Sequence, residues 1–389
     1  MTDQKSPLPL SVLMISTDPG FFTEEGTGDV IYRHVRYAER VKSLDVIVLG
    51  VHSGTKRFGD RLTVHGTGTG GIGAIFKARQ IARTLLRSGT FRLIVTQDPH
   101  ATGLVGVYLK KKFHLPLIVH LHGDFLDNDY WRRERVSHRF KALVQKRIIR
   151  SADMIRVVSD GIRRKLLSAG ISDDRIAVIG TPINDELFTT LSDDQKMLVE
   201  KLRYKYQDRF VLMFCGRLVP AKNLLFLLTV IDILRKRHRN ILLLLVGEGE
   251  MHQALERTVK DRNLESHVVL LGALPHEKLT VYYHVSQLFV LLSTNESFGK
   301  VIIEAGLSGV PCVASRTTGA SSIIAEGRTG FIVGVNDLDM SVAVIEELME
   351  YPEHVKMLGE NAKALYRNRY AMSSSVDKII DLWKRVSGV

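Results

Sequence analysis

The chain has 389 residues, more than one hydrophobic core ordinarily serves, so two domains are expected. Hydrophobic and charged contents of 45% and 25% belong to a globular protein, and two cysteines, Cys215 and Cys312, each inside an apolar run, exclude a disulfide framework. The net charge of +12 is segregated: residues 1–190 carry 29 Lys and Arg against 19 acids, residues 191–389 carry 25 against 23, and the first half therefore points at an anionic partner such as nucleic acid, an anionic membrane or a phosphorylated acceptor.

The opening MTDQKSPLPLSVLMIST lacks the long apolar segment of a signal peptide. No later run approaches the ~20 apolar residues that span a bilayer. A cytoplasmic location, at most peripheral to the inner face of a membrane, is expected. SVLMIS (11–16), DVIVLG (45–50), RLTVHG (61–66), FRLIVTQ (91–97), LPLIVHLH (115–122), DMIRVVS (153–159) and RIAVIG (175–180) read as strands, with helical spacing between them, as in KARQIARTLLRSG (77–89). Strands apolar on both faces and separated by helices predict a parallel sheet covered on both sides. GTGGIG (68–73) matches the dinucleotide fingerprint, with Asp98 where a ribose-binding acid would sit. The strand before it is short, amphipathic and not the first of the chain, so NAD is not the expected ligand. Asp127-Asn-Asp129 has metal-motif spacing but lies among Trp and Arg and reads as surface, and no metal site is expected. WRRERVSHRFKALVQKRIIR (131–150) is a basic amphipathic helix candidate with Val136, Phe140, Leu143, Val144 and Ile148 on one face. It is either a helix packed on the sheet with a solvated face or a surface for anionic lipid. No aromatic stacking platform accompanies the charge, which argues against nucleic acid.

LFTTLSDDQKML (187–198), polar at its centre, reads as a linker. RFVLMFCG (209–216), NILLLLVG (240–247), HVVLLG (267–272), LFVLLS (288–293) and VPCVAS (310–315) form a second strand series. The expected fold class is α/β, with two Rossmann-like parallel-sheet domains facing across a cleft, residues 1–188 and 189–370, and a terminal stretch 371–389. Ligands in such sheets bind beyond the carboxyl ends of strands. In GRLVPAKN (216–223), Arg217 and Lys222 near a helix start make either a diphosphate site or two solvated cations, and Asn223 suits an N-cap. Gly247 and Gly249 in VGEGEMHQAL (246–255) serve the backbone or a ligand. In NESFGKVIIEA (295–305), Glu296 sits in a turn, and Phe298-Gly299-Lys300 offers N–H groups to an anion at a helix start. Glu304 follows on the helix, where a carboxylate suits paired sugar hydroxyls; flanked by Ile303 and Ala305, it needs a partner.

Gly216-Arg217, Lys222, Glu296, Phe298-Gly299 and Glu304, in that order, together with GVPCVAS (309–315) and EGRTGFIV (326–333), resemble the group 1 (family 4) retaining glycosyltransferases of GT-B architecture. The resemblance covers nearly the whole chain. It implies a retaining, metal-independent transfer of a hexose from a UDP- or GDP-linked sugar to a lipid-linked, glycan or other hydroxyl acceptor, in cell-envelope or polysaccharide synthesis. The nucleotide sugar is then a co-substrate and there is no further cofactor. By resemblance Glu296 binds the transferred sugar and stabilises the cationic transition state, and Glu304 holds the ribose. Arg217 and Lys222 neutralise the departing diphosphate, and Gly216, Ser297, Phe298, Gly299, Lys300 and Val301 complete the donor site. His122, with His120 as the alternative, faces the donor sugar, and Asp124 contacts the acceptor or begins a turn. Gly26-Thr27-Gly28 stands where the family has adjacent glycines near donor and acceptor. Thr318-Gly319 and Ser322 replace a usual Gly-Gly and Glu, and Ser297 replaces a glycine. The helix VDKIIDLWKRV (376–386) is implied to return to the first domain. Two alternatives share these features: a GT-B sugar-nucleotide epimerase, which needs no acceptor, and a non-catalytic basic module for nucleic acid or membrane, against which the retained Arg217, Lys222, Glu296 and Glu304 argue.

Overall fold

Eight strands from the first half of the chain pair into one sheet and six from the second half into another, among the residues 6–22, 30–124, 126 and 136–389 that the computed structural model describes. The first sheet contains β1 (Leu8–Ser16), β2 (Val41–Val48), β3 (Gly50–Phe58), β4 (Leu62–Thr69), β5 (Phe91–Thr96), β6 (Leu117–Leu121), β7 (Met154–Val157) and β8 (Ile176–Val178), in the order β3-β4-β2-β1-β5-β6-β7-β8. The second contains β9 (Phe210–Cys215), β10 (Ile241–Val246), β11 (Val268–Gly272), β12 (Leu288–Leu291), β13 (Cys312–Ser315) and β14 (Gly330–Val333), in the order β11-β10-β9-β12-β13-β14. Every pairing is parallel except β3 with β4. The cause lies in the side chains: every residue of β6 and β10 is buried, so both faces must be covered, and crossover helices do this. The hydrophobic pattern does not announce β3, whose GVHSGTKRF is polar and largely exposed. It survives as an edge strand, and Lys56 and Arg57 guard its open side against further pairing.

The contacts divide the chain into two units, Met1–Pro182 with Met372–Val389, and Ile183–Ala371. Residues 183–188 go with the second unit because Phe188, fully buried, packs on Tyr283 and His276 with ring centroids 6.0 and 6.2 Å away. The helix Met372–Ser387 goes with the first: Trp383 is fully buried against Tyr37 (5.6 Å), and Arg40 pairs with Asp377 at 2.5 Å. In the helix Val136–Ser151, Ile148 of the expected face is buried and Val144 half-buried, and Leu143 departs from it. Ala142, Gln145, Ile148 and Ile149 are buried, while Leu143 is 71% exposed. Strand order reverses between β1 and β5 and between β9 and β12, and such switch points open crevices at the carboxyl ends of strands. Among the described residues no helix is long and apolar enough to cross a membrane.

Candidate functional site

Three loops are stitched together beyond the carboxyl ends of β9, β10 and β12. The chain leaves β9 through Gly216 and Arg217. Gly216 N donates to Val246 O (3.0 Å), Leu218 N to Glu248 O (2.9 Å) and Met251 N to Leu218 O (2.9 Å). These loops run so close that a Cβ on Gly247 would lie 1.9 Å from Gly216 O, so Gly247 is a backbone requirement. Thr294 N donates to Ala221 O at 2.9 Å. Asn223 takes a left-handed φ of 56° and makes no side-chain cap on the helix Leu224–Arg237, contrary to its expected role. Its amide instead donates to Leu292 O (3.1 Å) and Asn336 Oδ1 (2.9 Å), tying the β9 and β12 loops. Lys222 is thereby set against Glu296, Nζ to Oε2 at 2.5 Å, with each side chain 16% exposed. The Arg217 side chain is exposed and makes no hydrogen bond or ion pair among the described residues.

Phe298 is buried edge-on to Tyr370 (6.1 Å), and Gly299, at φ 85°, leads into the helix Lys300–Leu307. Ser297, Lys300 and Val301 are half-buried around that helix start. Gly319 N donates to Glu296 O at 2.8 Å, and a Cβ there would stand 2.6 Å from Phe298 backbone atoms, so only glycine lets the β13 loop lie on the turn that carries Glu296. Glu304 is only 3% exposed. Tyr283 donates its hydroxyl to Oε2 at 3.1 Å, and Lys300 Nζ lies 3.4 Å from Oε1. Burial, then Cys215 and Glu304, push the Tyr283 phenol well above its ordinary pKa, so it stays a proton donor. Burial first, and Glu304 second, raise the Cys215 thiol to about 12, so it stays protonated. The acid on the apolar helix thus has the partners that its burial demands, and lone pairs remain for a ligand's hydroxyls.

In the first unit, Gly26, Thr27 and Gly28 lie outside the described residues, as do Asp127–Asp129, Arg132, Arg133 and Arg135, and the side chain of Arg139. His122 is half-buried just beyond β6, its Nε2 2.6 Å from Gln97 Oε1. His120 is 1% exposed, and its Nδ1 lies 3.2 Å from an Arg156 nitrogen. Arg156 is itself buried and donates to Ile179 O (3.0 Å) and Gly180 O (2.7 Å). Burial lowers its pKa to about 10. Burial first and Arg156 second hold both imidazoles well below 6.5, so both rings are neutral near pH 7. Asp124 is buried, and Lys165 Nζ meets its two oxygens at 2.8 and 2.7 Å, so this carboxylate anchors the chain after β6.

Two family models divide the chain between them: Glycosyltransferase Family 4 matches residues 25–187 and Glycosyl transferases group 1 matches residues 200–365. The chain belongs to the group 1 glycosyltransferases. This glycosyltransferase is 23% identical over 275 residues to the alpha-D-kanosaminyltransferase of Streptomyces kanamyceticus, covering 70% of this chain and 71% of that one. It is 28% identical over 221 residues to the GDP-mannose-dependent alpha-(1-6)-phosphatidylinositol monomannoside mannosyltransferase of Mycolicibacterium smegmatis, covering 55% and 57%. Among solved structures, sucrose-phosphate synthase from Thermosynechococcus elongatus matches with a TM-score of 0.82 at 20% identity, over 97% of this chain and 98% of that one. HepE of Anabaena, solved with UDP, matches at 0.76 and 20%, over 97% and 100%. The fold is the GT-B pair of Rossmann-like domains.

Three residues that contact expected site residues of this glycosyltransferase escape the motif pattern. Tyr283, Gln97 and Arg156 contact Glu304, His122 and His120 respectively. Arg156 alone leaves a trace in the sequence, as a charge inside the apolar strand DMIRVVS. Gln97 is marked only by its place at a strand end, and Tyr283 by nothing local.

Proposed function

We propose that this glycosyltransferase transfers a hexose, with retention and without a metal, from a UDP- or GDP-linked sugar to a hydroxyl acceptor. The observation that carries the reading is the Lys222–Glu296 pair beside Arg217 and the start of the helix bearing Glu304. Lys222 has two further N–H donors for a phosphate oxygen while it holds Glu296. Arg217, exposed at the strand exit, adds a planar fork suited to a diphosphate. The helix start at Phe298–Val301 adds its partial positive charge, so negative charge building on the leaving diphosphate meets fixed donors. Glu296, anchored through its backbone by Gly319, binds sugar hydroxyls and faces the developing oxocarbenium charge. Glu304, held by Tyr283 and Lys300, takes the ribose hydroxyls. Nucleotide-linked sugars are supported as donors by the GDP-mannose dependence named for the mycobacterial relative and by the UDP-glucose complex of HepE.

The second unit is read as the donor domain and the first as the acceptor domain, its positive charge suited to a phosphorylated or lipid-linked acceptor at an anionic membrane surface inside the cell. Thermal shift against a panel of nucleotide sugars identifies the donor; a ligand at 100 times its Kd raises stability by about 2.7 kcal/mol. With that donor, Arg217→Ala and Lys222→Ala are each expected to slow transfer by about a hundredfold or more while folding is kept. Near-normal turnover in both variants overturns the diphosphate site. Activity lost in EDTA and restored by Mg²⁺ or Mn²⁺ overturns metal independence, and a product with inverted anomeric configuration by NMR overturns retention.

A further inference from the structure

The first unit fixes which nitrogen of His122 carries the proton. Gln97 follows β5, held by its backbone N–H to Ile15 O at 3.1 Å. Its Nε2 lies 2.8 Å from Met14 Sδ, and its Oε1 lies 2.6 Å from His122 Nε2. A thioether sulfur has no proton to give, so the amide nitrogen belongs against Met14 and the carbonyl oxygen against the imidazole. A carbonyl oxygen can only accept. His122 Nε2 is therefore the N–H nitrogen, and Nδ1 holds the lone pair. Nδ1 makes no hydrogen bond among the described residues.

Burial first, and then the charges of Arg156, Arg33 and His34, keep a second proton off this ring; the His120 ring centroid lies 5.6 Å away. The nearby carboxylate, Asp124, is taken by Lys165. Arg156, which makes no ion pair among the described residues, donates to His120 Nδ1 and sets the same tautomer there.

We propose that Gln97 is a positioning residue that locks His122 as its Nε2–H tautomer, so that Nδ1 accepts a hydrogen bond from a sugar or acceptor hydroxyl and does not donate to a phosphate oxygen. This rests on the reading of His122 as a substrate contact. Gln97→Glu places a carboxylate of the same shape against Nε2 and stabilises the imidazolium. Nδ1 then becomes a donor, and the acceptor function is lost. Gln97→Leu removes the partner and lets the two tautomers mix.

The test is imidazole ¹H–¹⁵N correlation NMR on the full chain, with the His122 signal assigned by its loss in His122→Asn. At pH 7 the wild type is expected to show a neutral Nε2–H ring and Gln97→Leu mixed tautomers, and on acidification Gln97→Glu is expected to become an imidazolium at higher pH than the wild type does. An Nδ1–H ring in the wild type, or an unchanged signal in both Gln97 variants, overturns the assignment whatever the reaction proves to be. In kinetics with the identified donor, the acid limb of the kcat profile is expected to move up by about one to three pH units in Gln97→Glu. Activity should recover at higher pH, which a merely unfolded variant would not show. If the tautomer is as stated but His122→Asn and Gln97→Glu both turn over normally, the substrate role of His122 is overturned and the tautomer lock is without function.

Discussion

One hydroxyl, that of Tyr283, stands between the buried Glu304 and an unmet half of its charge. Tyr283→Phe removes it without changing the ring and is expected to weaken nucleoside-diphosphate binding by about 0.5–1.5 kcal/mol, up to about tenfold in Kd. Glu304→Gln should weaken it further, whereas Glu296→Gln should leave nucleotide affinity unchanged and lower kcat. Calorimetry with the bare nucleotide separates these roles, and equal losses at Glu296 and Glu304 would remove the division of labour. His120 and His122 also make stability depend on pH. Their folded pKa values lie well below 6.5, so below about pH 6.5 the unfolded chain takes up protons that the folded chain resists. Stability is expected to fall as pH falls below about 6.5, by about 1.4 kcal/mol per pH unit for each histidine while its folded ring stays neutral, with no contribution at higher pH. Urea unfolding at several pH values tests this; an equal slope in a His120→Asn, His122→Asn double variant would contradict it.

The element that matters most is the turn between β12 and the helix Lys300–Leu307, because its shape is imposed from outside. The β13 loop lies on it through Gly319, and the β9 loop grips its start through Ala221 and Asn223. Gly319→Ala would drive a methyl group into the Phe298 backbone, so a stability loss of about 1–3 kcal/mol and a fall in kcat are expected together. Gly70, in the dinucleotide-like GTGGIG, is the contrast. A Cβ there meets nothing within 4 Å, and its φ is −97°. Gly70→Ala should leave donor binding unchanged, and wild-type protein should not bind NAD. A loss of donor affinity in Gly70→Ala would move the site.

At the scale of the whole molecule the asymmetry is electrostatic. The helix Gly71–Leu86 adds to the charge of the first unit: Arg79 and Arg83 share one stripe with Ile72 and Phe76, which are 73% and 64% exposed. If this unit meets anionic lipid, vesicle co-sedimentation should require anionic headgroups. It should also weaken as salt shortens the Debye length from about 10 Å at 0.1 M to about 3 Å at 1 M. Glutamine at Arg132, Arg133, Arg135 and Arg139, or at Lys77, Arg79 and Arg83, should reduce binding without altering nucleotide affinity. Binding to neither lipid, or equally to both, would favour a soluble acceptor.

The sequence by itself determined the layers and the family. Strands buried on both faces had to form parallel sheets, and the ordered set Arg217, Lys222, Glu296, Phe298-Gly299 and Glu304 was enough to name the group 1 glycosyltransferases. It also placed Arg217, Lys222 and Glu296 just beyond strand ends, because chain order alone puts them there. It did not disclose β3, whose polar residues become a strand only because the edge of β4 supplies partners. Nor did it show that the Val136–Ser151 helix turns Leu143 outward, since its spacing fits more than one inward face. The pairings of the expected site residues were decided by tertiary structure alone: Lys222 with Glu296, 74 residues apart, Asp124 with Lys165, 41 apart, and Gln97 with His122, 25 apart. A motif records which side chains are present. Their charge state, tautomer and remaining lone pairs depend on neighbours that only the folded chain brings within hydrogen-bonding distance.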